Sequence, residues 1–217
     1  MMNFLRKIRN NSYLSGLLFL YRNYFQSTRR KFGYIHETAF FRQPIQVKGI
    51  ENVYMYEGTI IQGHAKILTT QAKFVMKKYS ASAEGLTVVT GNHHSVPGKW
   101  WLAISDEEKK GKTLDKDVIV EEDVWLGANV TLLAGAHIGR GAVIGAGSVC
   151  RSKIPPYAIV IGNPVKIIGY RFTPEEILCH EEALYEEGER IPFDKLKKNY
   201  MRYFENRENI VDFLSIL

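Results

Sequence analysis

Gly91-Asn92-His93-His94-Ser95 is the stretch of this 217-residue chain best suited to chemistry. An imidazole titrates near neutrality, so a positioned histidine can take the proton of a hydroxyl as that hydroxyl attacks a carbonyl. Neighbouring side chains on an extended strand point to opposite faces, so only one of the pair can reach a shared site. His93 is the favoured base, with Asn92 beside it. His94 is its competitor, and the plainer alternative is that both rings only hydrogen-bond within a loop. Residues 95–117 follow as a polar excursion holding Trp100, Trp101 and a charged run at 106–110. An excursion of that length is functional or disordered. Its two indoles argue for packing onto a neighbouring subunit or a substrate, which makes His94, Trp100 and Trp101 candidates for the substrate side. Glu84 is an acid close enough in sequence to orient His93.

Something must hold that strand end in place, and the stretch 120–155 shows what. Taken in sixes, its first positions are Val120, Leu126, Leu132, Ile138, Ile144 and Cys150, all apolar. The fifth positions are Val124, Val130, Ala136, Ala142, Ser148 and Ile154, small or β-branched. Helices repeat near 3.6 residues and strands near 2, whereas a six-residue repeat is the mark of a parallel β-helix. Each six supplies one short strand and one corner of a prism. About three sixes make a coil, so Val120 should stack on Ile138, Leu126 on Ile144 and Leu132 on Cys150. Gly127, Gly139 and Gly145 would relieve the backbone where the chain bends. Met55, Ile61 and Ile67, with Thr59 and Ala65 in fifth positions, carry the same period. Residues 33–46 read as an irregular first coil. Residues 71–85 read as a departure, with an inserted turn at Lys77-Lys78-Tyr79-Ser80.

Three runs carry a resemblance: Val-Trp-Leu-Gly-Ala-Asn-Val-Thr (124–131), Ile-Gly-Ala-Gly-Ser-Val (144–149) and Ile-Pro-Pro-Tyr-Ala-Ile-Val-Ile-Gly-Asn-Pro-Val-Lys (154–166). From about residue 50 to 172 the chain resembles the hexapeptide-repeat acyltransferases, which include galactoside, maltose and xenobiotic acetyltransferases. The resemblance implies a mainly β fold, a left-handed parallel β-helix; handedness does not follow from the spacing. It implies acetyl-CoA as co-substrate, no metal, and a homotrimer in which the histidine of one subunit faces the coenzyme groove of the next. Gly91-Asn92-His93 matches the family's Asn-His form of the catalytic site. Trp125, Ala128, Gly145, Ala146, Ser152, Lys153 and Lys166 match the coenzyme groove. Ala128 stands where galactoside-type members carry a serine, so a backbone N–H would have to support the oxyanion. Arg171-Phe172 matches the xenobiotic type, but the aromatic-rich helix that follows there does not.

The expected activity is therefore acetyl transfer to a hydroxyl of a sugar or surface-polysaccharide precursor, with antibiotic acetylation as the alternative. A non-catalytic solenoid and a γ-type carbonic anhydrase are the rivals of another class. The second needs three histidine ligands. His64, His93, His94 and His137 are available, but not at the spacing that class uses.

The chain divides into an N-terminal segment (1–33), the β-helix with its 95–117 loop (34–172), and a C-terminal helical tail (173–217). The first segment reads as a basic amphipathic helix whose apolar part, 13–21, is too short to span a bilayer. It would either cap the prism or rest on the inner face of a membrane through residues 1–31. Thr173-Pro174-Glu175-Glu176 has the form of a helix start, with the helix running to about Glu186. Beyond Pro192, Leu196, Tyr200, Tyr203 and Phe204 share an apolar face that would cover the last coil. Net charge is +6, but the cations are scattered, which argues against a nucleic-acid partner. Cys150 and Cys179 are the two cysteines, too few for a disulfide framework, and fit a reducing cytoplasm.

Overall fold

The computed structural model describes residues 12–105 and 114–204. The charged run at 106–110, the start of the N-terminal segment and the Tyr203 and Phe204 side chains lie outside what it describes. Short parallel strands wind into a β-solenoid with three faces, here sheets A, B and C, of six, seven and five strands. The predicted stacking is present: Val120 pairs in register with Ile138, Leu126 with Ile144, and Leu132 with Cys150. All six first-position side chains are fully buried, and the fifth positions are buried beside them. Burying one such Leu or Ile is worth roughly 1.5–3 kcal/mol, so the stack itself is the main source of stability.

The solenoid is more regular than the sequence suggests. Ile35, Phe41 and Val47 already form a regular first coil, pairing with Met55, Ile61 and Ile67. Residues 71–85 are likewise in period: Met76, Ser82 and Val88 pair with Met55, Ile61 and Ile67. A polar residue at an inward position, Ser82, hid that coil. Lys77 to Ser80 is an ordinary corner, with Ser80 Oγ accepting from the Val124 N–H at 3.0 Å. The last coil is shorter than expected, because Ile138 pairs with Ile154 rather than with residue 156.

The glycines do a different job from the one expected. Gly127 is not at a left-handed corner; a Cβ there would lie 2.7 Å from the Ala146 nitrogen of the next coil. Gly139 meets the Pro156 nitrogen in the same way, at 2.6 Å. Side chains are excluded by close coil-to-coil approach. The left-handed residue is the fourth of each of the first five sixes, Asp123 (φ 57°), Asn129 (φ 56°), Gly135, Gly141 and Gly147. Asn, Asp and Gly are the residues that tolerate that conformation.

At the N-terminus, α1 (Ser12–Leu20) buries none of its residues, and Tyr13, Leu17, Phe19 and Leu20 are exposed. The segment is tied to the prism by the turn that follows. Asn23 is buried, donates to the Phe19 carbonyl at 2.8 Å and accepts from Gln46 at 3.0 Å. Arg29 clasps the carbonyls of His36 (2.5 Å) and Ala39 (2.7 Å). Among the described residues no helix is long and apolar enough to cross a membrane.

At the other end Lys166–Tyr170 returns antiparallel along Ala158–Ile161 and covers the open edge of sheet B. Then α2 (Pro174–Leu184) begins with the capping box read from the sequence and stops two residues short of Glu186. Its Glu181 is fully buried. That carboxylate accepts from Tyr157 (2.5 Å), Arg140 (2.8 Å) and the Ile191 N–H (3.0 Å). Burial together with the Glu181 contact pushes the Tyr157 hydroxyl well above its usual range. Next, α3 (Phe193–Phe204) buries Leu196 and sets Tyr200 against Tyr170.

Candidate active site

The strand Thr87–Val89 of sheet C ends at buried Thr90, whose N–H donates to the Leu68 carbonyl at 3.1 Å. There the chain leaves the coil at Gly91 and rejoins it at Asp115 and Lys116. Lys116 N–H donates back to the Thr90 carbonyl at 3.0 Å. Asp115 closes the base of the excursion. One carboxylate oxygen accepts from the Asn92 N–H at 3.2 Å; the other accepts from the Gln71 N–H at 3.3 Å and from the Thr70 hydroxyl. A Cβ on Gly91 would sit 3.1 Å from Thr70 Oγ1 and 3.3 Å from Asp115, so a side chain there would press on this closure.

Asn92 in turn fixes the next residue, its Oδ1 accepting from the His93 N–H at 2.8 Å. The His93 ring is exposed and lies 6.3 Å from the Trp101 ring, inclined by 27°. It opens onto a cavity of about 660 Å³ lined also by Lys48, Thr70, Asp115 and Arg151. One wall is a column. Lys48, Leu68, Val89, Leu133 and Arg151 each follow a first-position residue of sheet C, one per coil.

The structure sorts the other candidates. His94 is half-buried and not part of the cavity wall; the strand ends at Val89, so the pair lies in a loop and not on the extended strand the alternation argument assumed. Trp100 is exposed and Trp101 faces His93. Trp125 is exposed on sheet B. Ala128, Gly145 and Ala146 lie at the corner between sheets B and C, with Lys166 on the return strand beside it. Neither the Ala128 nor the Ala146 N–H has an acceptor among the described residues. Ser152 and Lys153 are exposed at the corner between sheets C and A, the corner from which His93 also leaves. Within one chain, then, His93 and most of the coenzyme candidates occupy different edges of the prism.

Glu84 does not orient His93. It sits at the B–C corner, where its carbonyl accepts from Asn129 at 2.8 Å, at the opposite end of the strand. The acid joined to this segment is Asp115, which binds the Asn92 N–H rather than the His93 ring. Asp115, Lys48, Thr70 and Arg151 were not singled out from the sequence; the column register would have found Lys48 and Arg151. The histidines that a metal reading needs are dispersed. His137 is on sheet A, hydrogen-bonded to Glu121 at 2.7 Å, and no three metal-ligating side chains converge among the described residues.

Comparison with known proteins agrees with this architecture. Residues 117–152 match the family model "bacterial transferase hexapeptide (six repeats)". A probable macrolide acetyltransferase of Lysinibacillus sphaericus is 34% identical over 137 residues, covering 58% of this chain and 76% of that protein. A hexapeptide-repeat acetyltransferase of Vibrio cholerae, solved with acetyl coenzyme A, superposes with a TM-score of 0.56 at 20% identity, covering 74% of this chain and 90% of that one. A maltose O-acetyltransferase of Clostridium difficile gives 0.56 at 22% identity, over 75% and 87%. These two likenesses establish the shared solenoid.

Proposed function

This chain belongs to the hexapeptide-repeat acyltransferases, and from that membership we propose that it transfers acetyl from acetyl-CoA to a hydroxyl of a sugar or polysaccharide precursor. The observation that carries the reading is the exposed His93 ring at the mouth of a polar cavity, on a backbone fixed by the Asn92–Asp115 closure. Lys48, Thr70, Asp115 and Arg151 suit an acceptor rich in hydroxyls.

In this reading the acceptor oxygen attacks the thioester carbonyl carbon while its proton passes to His93. The tetrahedral oxyanion collapses, the C–S bond breaks, and the imidazolium returns the proton to the departing thiolate. The products are an ester and free CoA, with no covalent enzyme intermediate. Ala128, Gly145 and Ala146 leave room for the pantetheine arm, and the Ala128 and Ala146 N–H groups, which have no acceptor among the described residues, would serve as donors for its carbonyls or for the oxyanion. Lys153 and Lys166 are exposed, have no ion-pair partner among the described residues, and would meet the phosphates.

Because His93 and the B–C corner lie on different edges, the working site joins two copies of a homotrimer. The reaction is assigned to a reducing cytoplasm, with the exposed apolar residues of α1 available for peripheral contact at the membrane. The test mixes two inactive variants, His93→Ala and Ala146→Trp, and follows CoA thiol release with sugar acceptors. Random mixing restores about a quarter of the sites if they form between copies; no recovery would place each site within one chain. A second reading, acetylation of a macrolide hydroxyl, is favoured by the Lysinibacillus relative. A macrolide acceptor run beside the sugars separates the two.

A further inference from the structure

Lys48 ends the sheet C strand Ile45–Lys48 and lines two cavities at once. One is the His93 cavity. The other, about 930 Å³, lies between that strand and the N-terminal segment, where Leu18, Phe19, Arg22, Lys31 and Glu51 face it. Leu68 is shared as well, so the two cavities adjoin along this wall. Neither the Arg22 guanidinium nor the Lys48 ammonium has a hydrogen-bond or ion-pair partner among the described residues. Lys31 gives its ammonium to the Gln26 carbonyl at 3.1 Å. Of the acids, Glu51 faces the second cavity alone, and Asp115 in the first is committed to Thr70, Gln71 and Asn92. The junction is therefore cationic, with apolar Leu18 and Phe19 beyond it.

We infer that the two cavities form one acceptor groove, and that the acceptor sugar carries a phosphate or diphosphate on the side away from the reacting hydroxyl. This rests on the sugar-acetylation reading above and names its substrate class. The hydroxyl meets His93, Lys48 and Arg22 hold the phosphate oxygens, and Leu18 and Phe19 line the space for what the phosphate carries. Charge-assisted bonds from unpaired cations are the strong kind, and Glu51, the carboxylate that shares their cavity, forms no ion pair with either among the described residues. These cations are separate from the coenzyme set. Lys48 belongs to the first coil, whereas Lys153 and Lys166 belong to the last turns of the stack.

The test uses the full chain, acetyl-CoA and matched acceptors: a methyl hexoside, the hexose 1-phosphate, a nucleotide diphosphate hexose, and a polyprenyl diphosphate hexose in detergent micelles. The phosphorylated acceptors should exceed the neutral one by about tenfold in kcat/KM. Lys48→Gln and Arg22→Gln should each remove most of that ratio, while Lys197→Gln, an exposed cation on α3, leaves it unaltered. Whichever of the nucleotide and polyprenyl forms exceeds the simple phosphate identifies the carrier. Equal kcat/KM for neutral and phosphorylated sugars, or a Lys48→Gln effect confined to the KM of acetyl-CoA, would overturn the inference. Calorimetric binding of hexose 1-phosphate keeps the two readings apart. Binding weakened by Lys48→Gln without acetylation retains the groove and removes the reaction, and acetylation without phosphate preference does the reverse.

Discussion

Asp115 accepts the Asn92 N–H at 3.2 Å, and through Asn92 it sets the backbone of His93. The carboxylate belongs to the returning end of the excursion and the histidine to its departing end, so the base is positioned only when the excursion is closed. Asp115→Ala should therefore lower kcat by about 10- to 100-fold with little change in the KM of acetyl-CoA, because misplacing a reacting group costs rate rather than coenzyme affinity. Asp115→Asn keeps one acceptor oxygen, enough for the Asn92 N–H but not for the Gln71 N–H as well, and should recover part of the loss. Steady-state kinetics of the two variants check this. A change in acetyl-CoA KM alone would point to another role.

Glu181 ties the tail to the prism from a fully buried position. Removing it leaves the buried Tyr157 hydroxyl and the Ile191 N–H without their acceptor and takes one of three from the Arg140 guanidinium, which keeps Glu122 and the Glu189 carbonyl. Glu181→Ala should cost about 3 kcal/mol, read as a lowered denaturant midpoint. In an Arg140→Ala background the further loss should be smaller, because the pair is already broken.

Glu121 gives a pH signature. Burial alone would raise its carboxyl, but hydrogen bonds from Lys77 and His137, with their charge, outweigh burial and hold it below the ordinary value of 4.5. A carboxyl depressed in the folded state adds stability above its unfolded value and loses it as pH falls through the folded one. The stability difference between wild type and Glu121→Gln should be constant above about pH 5 and disappear in stronger acid. Urea midpoints from pH 7 to pH 3 measure it, and a flat difference would contradict it.

Cys150 stacks on Leu132 inside the prism, and desolvation pushes its thiol up to about 12. Cys179 on α2 is exposed. A thiol reagent should label Cys179 in the native protein and reach Cys150 only after unfolding. Rapid native labelling of both would mean that the last coil is not closed.

Stacking was legible in the sequence because inward residues repeat as apolar side chains every sixth position, from Val120 to Cys150. Ser82 broke that signal, and the coil it belongs to was lost with it. The corners were misplaced because glycine marks both tight coil contact, at Gly127 and Gly139, and left-handed turns, where Asp123 and Asn129 serve equally well. His93 could be found from its neighbours. Asp115 could not, because its partners Thr70 and Gln71 are brought to it only by the solenoid's winding. Lys48 and Arg151 share the cavity for the same reason, one coil register separating each member of the column.

The most direct measurement is CoA thiol release by His93→Ala beside wild type, with acetyl-CoA affinity determined separately on both. Loss of a positioned general base should lower kcat by about 10²–10⁴-fold while acetyl-CoA still binds as in wild type. Wild-type turnover in the His93→Ala protein would contradict the assignment.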